Sequence, residues 1–276
     1  MITSAVFYDF DQDKDADLLI TGEFMGLHFF ENNGGKFSPK AHPLTAEKGW
    51  WNTIHLVDLD QDGQKDLVVG NHGTNSRFKA NKENPIKLYF NDFDGNGRGE
   101  GVLTSTHLDG KEYPFALRHN LIDQMKSLKK KFPNFESFKS ADITQIFDPL
   151  ALKEALVLEA NQLNTKAFRN TGNFTFEPIE LPKQVQFSPV YAINHGDFDG
   201  DGDIDLLMGG NLYKTKPEVG SYDASYGIYL EQTPQGLKFH SDGKGFNVKG
   251  EIRSIEINEN TIWVGRNNDT ISAFRF

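Results

Sequence analysis

Acidic residues recur at alternate positions in four segments of the sequence. The segments read YDFDQDKDADLLI from Tyr8, DLDQDGQKDLVVG from Asp58, DFDGNGRGEGVLT from Asp92 and DFDGDGDIDLLMG from Asp197. With Asp9 as position 1 of the first segment, all four share Asp at position 3, Asp or Asn at position 5, and an acid at position 9. Like charges on one face of a strand repel each other. The spacing therefore predicts something other than an ordinary strand.

A hard divalent cation explains this spacing. Ca²⁺ takes about six to eight oxygens from carboxylates, amides and backbone carbonyls, and a nine-residue turn can wrap the side chains of positions 1, 3, 5 and 9 around one ion, with the position-7 carbonyl. Gly63, Gly97 and Gly202 occupy position 6, where a sharp turn favours a positive φ. Lys14 stands there in the first loop. We predict cation-binding loops; the alternative is a set of acidic surface turns without metal.

The charge of the loops and the residues that follow them reduce the number of possible calcium-binding architectures. The four loops hold 17 of the 39 acidic residues, and four bound Ca²⁺ ions would change the formal net charge from −10 to −2. An EF-hand loop needs a Glu at position 12, where this chain has Ile20, Val69, Leu103 and Met208. A helix-loop-helix site is thereby excluded. Short β-rich runs follow each loop, so each loop is expected to join two strands.

The loops belong to longer repeats. Their starts are 49, 34 and 105 residues apart, and blocks of the form aromatic-x-Asn-x-Gly recur at 30–37 and 168–174. Residues 155–176 parallel 18–38 without an acidic loop before them, and residues 261–276 resemble one more copy. About six units of this length indicate a propeller or a sandwich. The common loop position favours an all-β propeller of about six short antiparallel blades in one domain, 1–276.

One segment, at about 118–147, departs from the β pattern. An apolar stripe at helical spacing ends before Pro133 and comprises Leu121, Ile122, Met125, Leu128 and Phe132. Four lysines lie on the other face, at 126 and 129–131. The segment is predicted to be a small helical insertion. Its lysines form either a solvated face or a docking patch for an acidic partner.

Composition excludes several classes of protein. The net charge of −10 argues against binding to nucleic acid or to an anionic membrane surface. No apolar run is long enough for a membrane span, and the absence of Cys excludes disulfides and thiolate metal sites. The N-terminal residues do not resemble a signal peptide. They indicate either a cytoplasmic start or a fragment of a longer chain.

The acidic loops resemble those of the FG-GAP/VCBS repeat family of calcium-binding β-propellers. The stretches at 110–138, 186–207 and 221–227 also resemble the C-terminal part of long, secreted VCBS/FG-GAP proteins of Bacteroidetes-type bacteria. The resemblance implies a propeller, Ca²⁺ in three to four loops, and export to the periplasm, cell surface or exterior within a longer polypeptide. It implies these metal ligands: Asp9, Asp11, Asp13, Asp15 and Asp17; Asp58, Asp60, Asp62, Gln64 and Asp66; Asp92, Asp94, Asn96, Arg98 and Glu100; Asp197, Asp199, Asp201, Asp203 and Asp205.

Two details qualify this ligand set. Position 7, which holds Asp15, Gln64, Arg98 and Asp203, would contribute only its backbone carbonyl. The third loop departs most from the pattern, because Asn96 lowers its charge and Glu100 replaces Asp. We expect its site to be the weakest of the four.

The last repeat offers three strands, near 252–257, 261–266 and 270–276. Propellers usually complete the last blade with a strand from the other terminus, yet residues 1–8 already begin a blade. We therefore hypothesise that upstream sequence is missing and that the ring is incomplete or strained.

No catalytic motif emerges from the sequence, so we predict a non-enzymatic module for adhesion or for recognition of a protein or glycan partner. Trp50, Trp51, Tyr222 and Tyr226 stand near turns and are candidate ligand-binding residues; the alternative is that they pack between blades. A calcium-dependent polysaccharide lyase or hydrolase and a structural spacer stay as alternative functions.

Overall fold

The computed structural model describes residues 1–275. Within that range the strands are β1 (Ile2–Tyr8), β2 (Asp17–Met25), β3 (His28–Asn33), β4 (Lys36–Lys40), β5 (Gly49–Trp50), β6 (Thr53–Val57), β7 (Asp66–Gly70), β8 (Ile86–Asn91), β9 (Glu100–Thr106), β10 (Glu112–Pro114), β11 (Leu156–Ala160), β12 (Lys166–Asn170), β13 (Phe176–Ile179), β14 (Val190–Gly196), β15 (Asp205–Gly210), β16 (Ile228–Glu231), β17 (Lys238–Phe239), β18 (Ile252–Asn258), β19 (Thr261–Arg266) and β20 (Ser272–Arg275). The helices are α1 (Arg118–Gln124), α2 (Leu128–Lys131), α3 (Phe135–Phe138), α4 (Ile143–Ile146) and α5 (Pro149–Glu154).

The chain forms two compact units. The first unit contains Met1–Arg77 and the residues from Leu163 onward, and the second unit contains Phe78–Gln162. We expected one domain with a helical insertion at about 118–147. The helices of that segment lie in the second unit, together with a sheet of their own.

Four antiparallel sheets build the first unit. The first sheet has the order β1-β2-β3-β4, with β5 also paired to β2, and the second has the order β13-β12-β7-β6. The third sheet is β14-β15-β16-β17, and the fourth is β18-β19-β20. The three-stranded last repeat is thus confirmed for the described residues, while Phe276 lies outside them. Strand β1 pairs with β2 in the first sheet.

Two of the strands that follow acidic loops, β7 and β15, are buried on both faces, which explains how the sheets of the first unit pack in series. In β7, Leu67 and Val69 face the cluster shared with the first sheet, whereas Val68 faces the cluster shared with the third. Strand β15 divides its side chains in the same way, with Leu206 facing the second sheet and Leu207 the fourth. Alternation with a period of two places successive side chains on opposite faces. A strand in a sheet that is covered on both faces therefore needs a continuous run of apolar residues.

The second sheet is discontinuous in sequence. Strand β12 pairs with β7, although the whole second unit separates them in the chain. Strand β11 instead pairs with β8 in the second unit. The interpretation of residues 155–176 as one repeat parallel to 18–38 is therefore wrong, because the two halves of that segment belong to different sheets. Local similarity could not reveal this, since strand pairing is decided by long-range contacts.

The second unit packs short helices over one sheet, in the order β10-β9-β8-β11. The predicted apolar stripe is confirmed as core: Leu121, Met125, Leu128 and Phe132 are all buried in a cluster with Val102 of β9. The segment is not one helix but a series of short ones. Asn134 and Asp142 start α3 and α4 with capping boxes, in which side chain and backbone satisfy each other's polar groups.

The structure supports the all-β class but does not confirm a six-bladed propeller. Residues 1–275 contain five antiparallel sheets, four in the first unit and one in the second. None of these sheets closes on itself. No helix in the described part of the chain is long and apolar enough to cross a membrane.

A histidine pair joins the second and third sheets inside the first unit. The Nε2 atom of His55 on β6 lies 2.8 Å from Nδ1 of His195 on β14. One ring must donate and the other accept, so at least one of the two imidazoles must be neutral. Burial, together with the neighbouring His195 and Lys65, lowers the pKa of His55 to about 4. Burial also lowers the pKa of His195.

We predict that this pair makes the fold sensitive to mild acid. A lowered folded-state pKa means that the unfolded chain binds protons first, so stability is lost as pH falls from about 6.5 towards 4. For His55 the loss is about 2 kcal/mol at pH 4.5. Urea unfolding at pH 7 and pH 4.5 should show a smaller acid loss for His55→Gln/His195→Gln than for the unmodified chain. The exposed His119→Gln is the control, and an equal acid loss in both variants would contradict the prediction.

Candidate metal centres

Each acidic loop joins the two strands of an antiparallel hairpin. Residues 9–17 join β1 to β2, residues 58–66 join β6 to β7, residues 92–100 join β8 to β9, and residues 197–205 join β14 to β15. We call these loops one to four in chain order. Loops one, two and four belong to the first unit and loop three to the second. The predicted strand-loop-strand setting is confirmed in all four.

The same backbone hydrogen bonds shape every loop. The position-1 carboxylate accepts from the position-6 N–H, at 2.9 Å for Asp9, 3.0 Å for Asp58, 2.8 Å for Asp92 and 3.1 Å for Asp197. The side-chain oxygen at position 5 accepts from the position-7 N–H, as in Asp13, Asp62, Asn96 and Asp201. These bonds turn the first, third and fifth side chains inward, which an extended strand could not do.

Position 6 has the left-handed backbone that the sequence predicted. Its φ is +91° in Gly63, +83° in Gly97 and +93° in Gly202. Lys14 adopts the same conformation, with φ of +79°, although a side chain there costs about 1–2 kcal/mol. Loop one therefore bends like the others and does not adopt a separate turn.

The loops bring carboxylates together at cation-binding distances. In loops one, two and four, one oxygen each from positions 1, 3 and 5 lies within 4.8 Å of the others; in loop three the same holds for positions 1, 3 and 9. The members are Asp9, Asp11 and Asp13; Asp58, Asp60 and Asp62; Asp92, Asp94 and Glu100; Asp197, Asp199 and Asp201. Burial and the neighbouring Asp17 and Asp13 raise the pKa of Asp11. Crowded carboxylates of this kind favour a bound cation.

Unpartnered oxygens provide a test of whether a cation fits. Oδ1 of Asp15, Oδ1 of Asp58 and Oδ1 of Asp94 are buried and have no hydrogen-bond partner among the described residues. A buried carboxylate oxygen without a donor costs free energy, and a hard cation such as Ca²⁺ would satisfy it. The donor set, all oxygen and no sulfur, suits Ca²⁺ as well. The residues present therefore fit the metal.

The acid at position 9 has a second role that the sequence reasoning missed. Asp17 accepts from the N–H groups of Phe10 and Asn32, both at 2.9 Å, and is fully buried. Asp66 accepts from the N–H groups of Leu59, at 3.0 Å, and Asn170, at 2.9 Å. Each carboxylate thus ties the start of its loop to the third strand of its sheet. Burial raises the pKa of Asp66, and these N–H donors oppose that rise.

Loop four repeats the arrangement with one addition. Asp205 accepts from the N–H groups of Phe198 and Gln232 and from the hydroxyl of Tyr229, which lies 2.6 Å from Oδ2. In loop three, Glu100 accepts from the N–H of Phe93 at 2.9 Å. We call Asp17, Asp66 and Asp205 the clip carboxylates.

The repeated aromatic-x-Asn blocks supplied a signal for this role. The side-chain amide of Asn32 donates to the carbonyl of Ala16, and that of Asn170 donates to the carbonyl of Lys65. Ala16 and Lys65 are both at loop position 8. Each block therefore recurs in sequence because its Asn contacts the loop of its own sheet through both backbone and side chain.

The four aromatic candidates occupy different environments. Trp51 is fully buried and donates its indole N–H to the carbonyl of Glu47, and Tyr222 is only 8% exposed. Their rings pack in the interior, which favours packing between strands over contact with a ligand for these two residues. Trp50 is half-buried, and its ring lies 5.1 Å from that of His72. Tyr226, by contrast, is 54% exposed.

Tyr226 lines a cleft in the first unit. The cleft has a volume of about 180 Å³, and the residues that line it are Gln184, Phe187, 224–228, 239–243, Phe246 and Asn247. Phe187, which is 40% exposed, and the buried Ser225 also line it. The Ser225 hydroxyl has no hydrogen-bond partner among the described residues. Exposed aromatic rings next to such a polar group suit a ligand that has both an apolar face and hydroxyls.

Comparison with known proteins supports part of the family resemblance. Residues 9–69 match the model of the FG-GAP-like repeat. This segment includes loops one and two, strands β2 to β6 and all but the last residue of β7, whereas β1 lies outside it. No curated protein matches the chain. The similarity therefore rests on the repeat unit itself.

We predict that the clip carboxylates stabilise the fold without metal. In EDTA, Asp66→Ala should lower the free energy of unfolding by about 2–4 kcal/mol, because it leaves two buried N–H groups without acceptors. Asp62→Ala removes an exposed carboxylate from the same loop and should cost less than about 1 kcal/mol. Urea unfolding measures both. Equal losses would show that Asp66 has no special structural role.

Proposed function

We propose that the chain is a calcium-stabilised, propeller-like recognition module. The proposal is carried by one observation: four loops of one geometry each gather three acidic side chains within 4.8 Å of one another. Acidic surface turns without a metal would have no reason to share this register. The match of residues 9–69 to the FG-GAP-like repeat supports the same function.

Calcium would act on stability rather than on chemistry. Each ion would neutralise repulsion among the carboxylates of one hairpin turn and satisfy oxygens that lack donors. Because the unfolded chain does not preserve this arrangement, binding would shift the folding equilibrium towards the native state. The ligands we propose are the inward-facing acids together with the position-7 carbonyls. The position-9 acids would contribute any oxygen lone pair that their backbone contacts leave over.

The recognition surface we propose is the cleft lined by Tyr226 and Phe187. Loops on a rigid sheet scaffold commonly carry binding residues, and a glycan or a partner protein could contact the exposed rings. We propose a non-catalytic role, with a polysaccharide lyase or hydrolase and a structural spacer as the alternatives. Export within a longer polypeptide is also a proposal, which rests on the family resemblance.

Calcium binding can be tested by thermal unfolding and calorimetry. Millimolar CaCl₂ should raise the melting temperature by several degrees relative to EGTA, because binding at about 100 times Kd adds about 2.7 kcal/mol per site. Calorimetry should find three to four sites. Asp60→Asn should remove one site, whereas Asp223→Asn, an exposed acid outside the loops, should leave the number unchanged. No bound calcium would show that the loops are metal-free turns.

The cleft can be tested separately with an array of immobilised glycans. Binding that Tyr226→Ala abolishes, and that Phe37→Ala does not, would support the recognition surface. Phe37 is a suitable control because it is 42% exposed and lies on β4, away from the cleft residues. Glycan binding unaffected by Tyr226→Ala would place recognition elsewhere, and absence of binding to any glycan would favour a protein partner or the spacer function.

A further inference from the structure

Loops one and four form a matched pair within the first unit. Both carry Asp at positions 1, 3, 5, 7 and 9, from Asp9 to Asp17 and from Asp197 to Asp205. Both also place their first three carboxylates close together. From the loop sequences alone, their charge predicts similar cation affinities. The neighbours of position 3 differ, however, and this difference has a consequence for binding.

In loop four, a lysine ammonium already contacts the position-3 carboxylate. Nζ of Lys244 lies 2.7 Å from Oδ2 of Asp199 and 3.4 Å from Oε1 of Glu231. It also lies 5.3 Å from the centre of the Tyr229 ring, whose hydroxyl donates to the clip carboxylate Asp205. The other Glu231 oxygen pairs with Nε2 of His240. Lys244 therefore sits where it can neutralise part of the loop's charge.

Loop one has no such cation. In the described residues, Asp11 forms no ion pair, and its recorded hydrogen bond is with the N–H of Asp13 in its own loop. Lys14 belongs to loop one, but its ammonium forms no ion pair with a carboxylate among residues 1–275. The Lys244 ammonium lowers the pKa of the Asp199 carboxyl, whereas burial and neighbouring carboxylates raise the pKa of Asp11.

The backbone at Lys244 is strained. Lys244 has φ of +44° inside the turn Gly243–Gly245, a left-handed conformation that costs a non-glycine residue about 1–2 kcal/mol. Such residues persist only where surrounding contacts hold them. Lys244 is held by its two ion pairs, by the Tyr229 ring and by its own N–H, which donates to Oδ1 of Asp242 at 3.2 Å. Loss of the pairs would thus remove much of what keeps this turn in place.

We propose that Lys244 is a tethered counter-cation of loop four, which a bound divalent ion must displace from Asp199. The inference rests on the proposed calcium binding but goes beyond it, since it assigns one loop a lower affinity and a coupled movement. A divalent ion and an ammonium group repel each other at this distance, and both need the same carboxylate. Loop four should therefore bind calcium more weakly than loop one.

Displacement of Lys244 would also change the mobility of one wall of the cleft. Gly243, Phe246 and Asn247, in and directly after the Lys244 turn, line the same cleft as Tyr226. When Lys244 leaves Asp199, the strained turn loses its anchors and this wall becomes looser. Calcium in loop four would in this way change the cleft, while calcium in loop one would only stabilise its own hairpin.

Calorimetric titration with CaCl₂ tests the affinity. Lys244→Met should tighten calcium binding at loop four by about tenfold and leave the other sites unchanged. Lys244→Gly should do the same while also relieving the strained φ, so a folding defect in one variant cannot hide the result. Asp201→Asn in either background identifies the affected site as loop four. Lys238→Met is the control, because Lys238 is exposed and its nearest carboxylate, on Glu231, is 3.9 Å away.

Unchanged or weaker calcium binding at loop four in both Lys244 variants would overturn the proposal. Sites that bind calcium with no effect of Lys244 would defeat this inference alone. The absence of calcium binding at any loop would defeat the proposed function as well. The two failures are therefore distinguishable in one set of titrations.

Hydrogen exchange of backbone amides gives a second test, because calcium should have opposite effects on the exchange rates of two segments. Calcium should slow exchange in residues 197–205 but accelerate it in residues 241–247, where the Gly243 N–H donates to His240 and the Phe246 N–H donates to Gly243. In Lys244→Gly the acceleration should disappear, because the turn no longer depends on the ion pairs. Slower exchange in both segments of the unmodified protein would show that calcium does not displace Lys244.

Discussion

The contact on which the repeats depend is the one between the clip carboxylates and backbone N–H groups. Asp17 and Asp66 each accept from the second residue of their own loop and from the third strand of their sheet. A buried carboxylate is costly unless it is hydrogen-bonded, and here the donors come from segments that are distant in sequence. Folding the turn and adding the third strand are thereby coupled, which explains why the acid and the Asn block recur together.

The acidic residues of one loop therefore fall into two groups with different environments. The clip carboxylates are satisfied by the protein itself, whereas the inward-facing acids of the same loops crowd together, and some of their oxygens lack a donor. Charge repulsion opposes folding most where like charges are held closest. The outer part of each loop is therefore the part that suits a cation, whereas the inner carboxylate is satisfied by protein donors. Within the nine residues of a loop, we therefore expect substitutions at positions 1, 3 and 5 to affect mainly metal binding, and substitutions at position 9 to affect mainly the stability of the fold.

The sequence was sufficient to predict features that depend on local spacing. The strand-loop-strand setting, the positive φ at position 6 and the buried stripe from Leu121 to Phe132 follow from residue types at fixed intervals. The membership of the second sheet did not, because β12 pairs with β7 across the whole second unit. The aromatic residues were also ambiguous: a Trp near a turn, such as Trp51, has the same local signature whether it is buried or exposed.

The same limit applies to the loops themselves. Loops one and four are nearly equal in sequence, yet of the two only loop four has a lysine ammonium on its position-3 acid, supplied by a residue 45 positions away. Repeated motifs specify a geometry, but their electrostatic environment comes from neighbours that the repeat does not contain. A family of similar acidic loops can therefore hold ions of different affinity and consequence. In this chain we propose that loop four binds more weakly than loop one, and its counter-cation Lys244 stands next in sequence to Gly243, which lines the cleft.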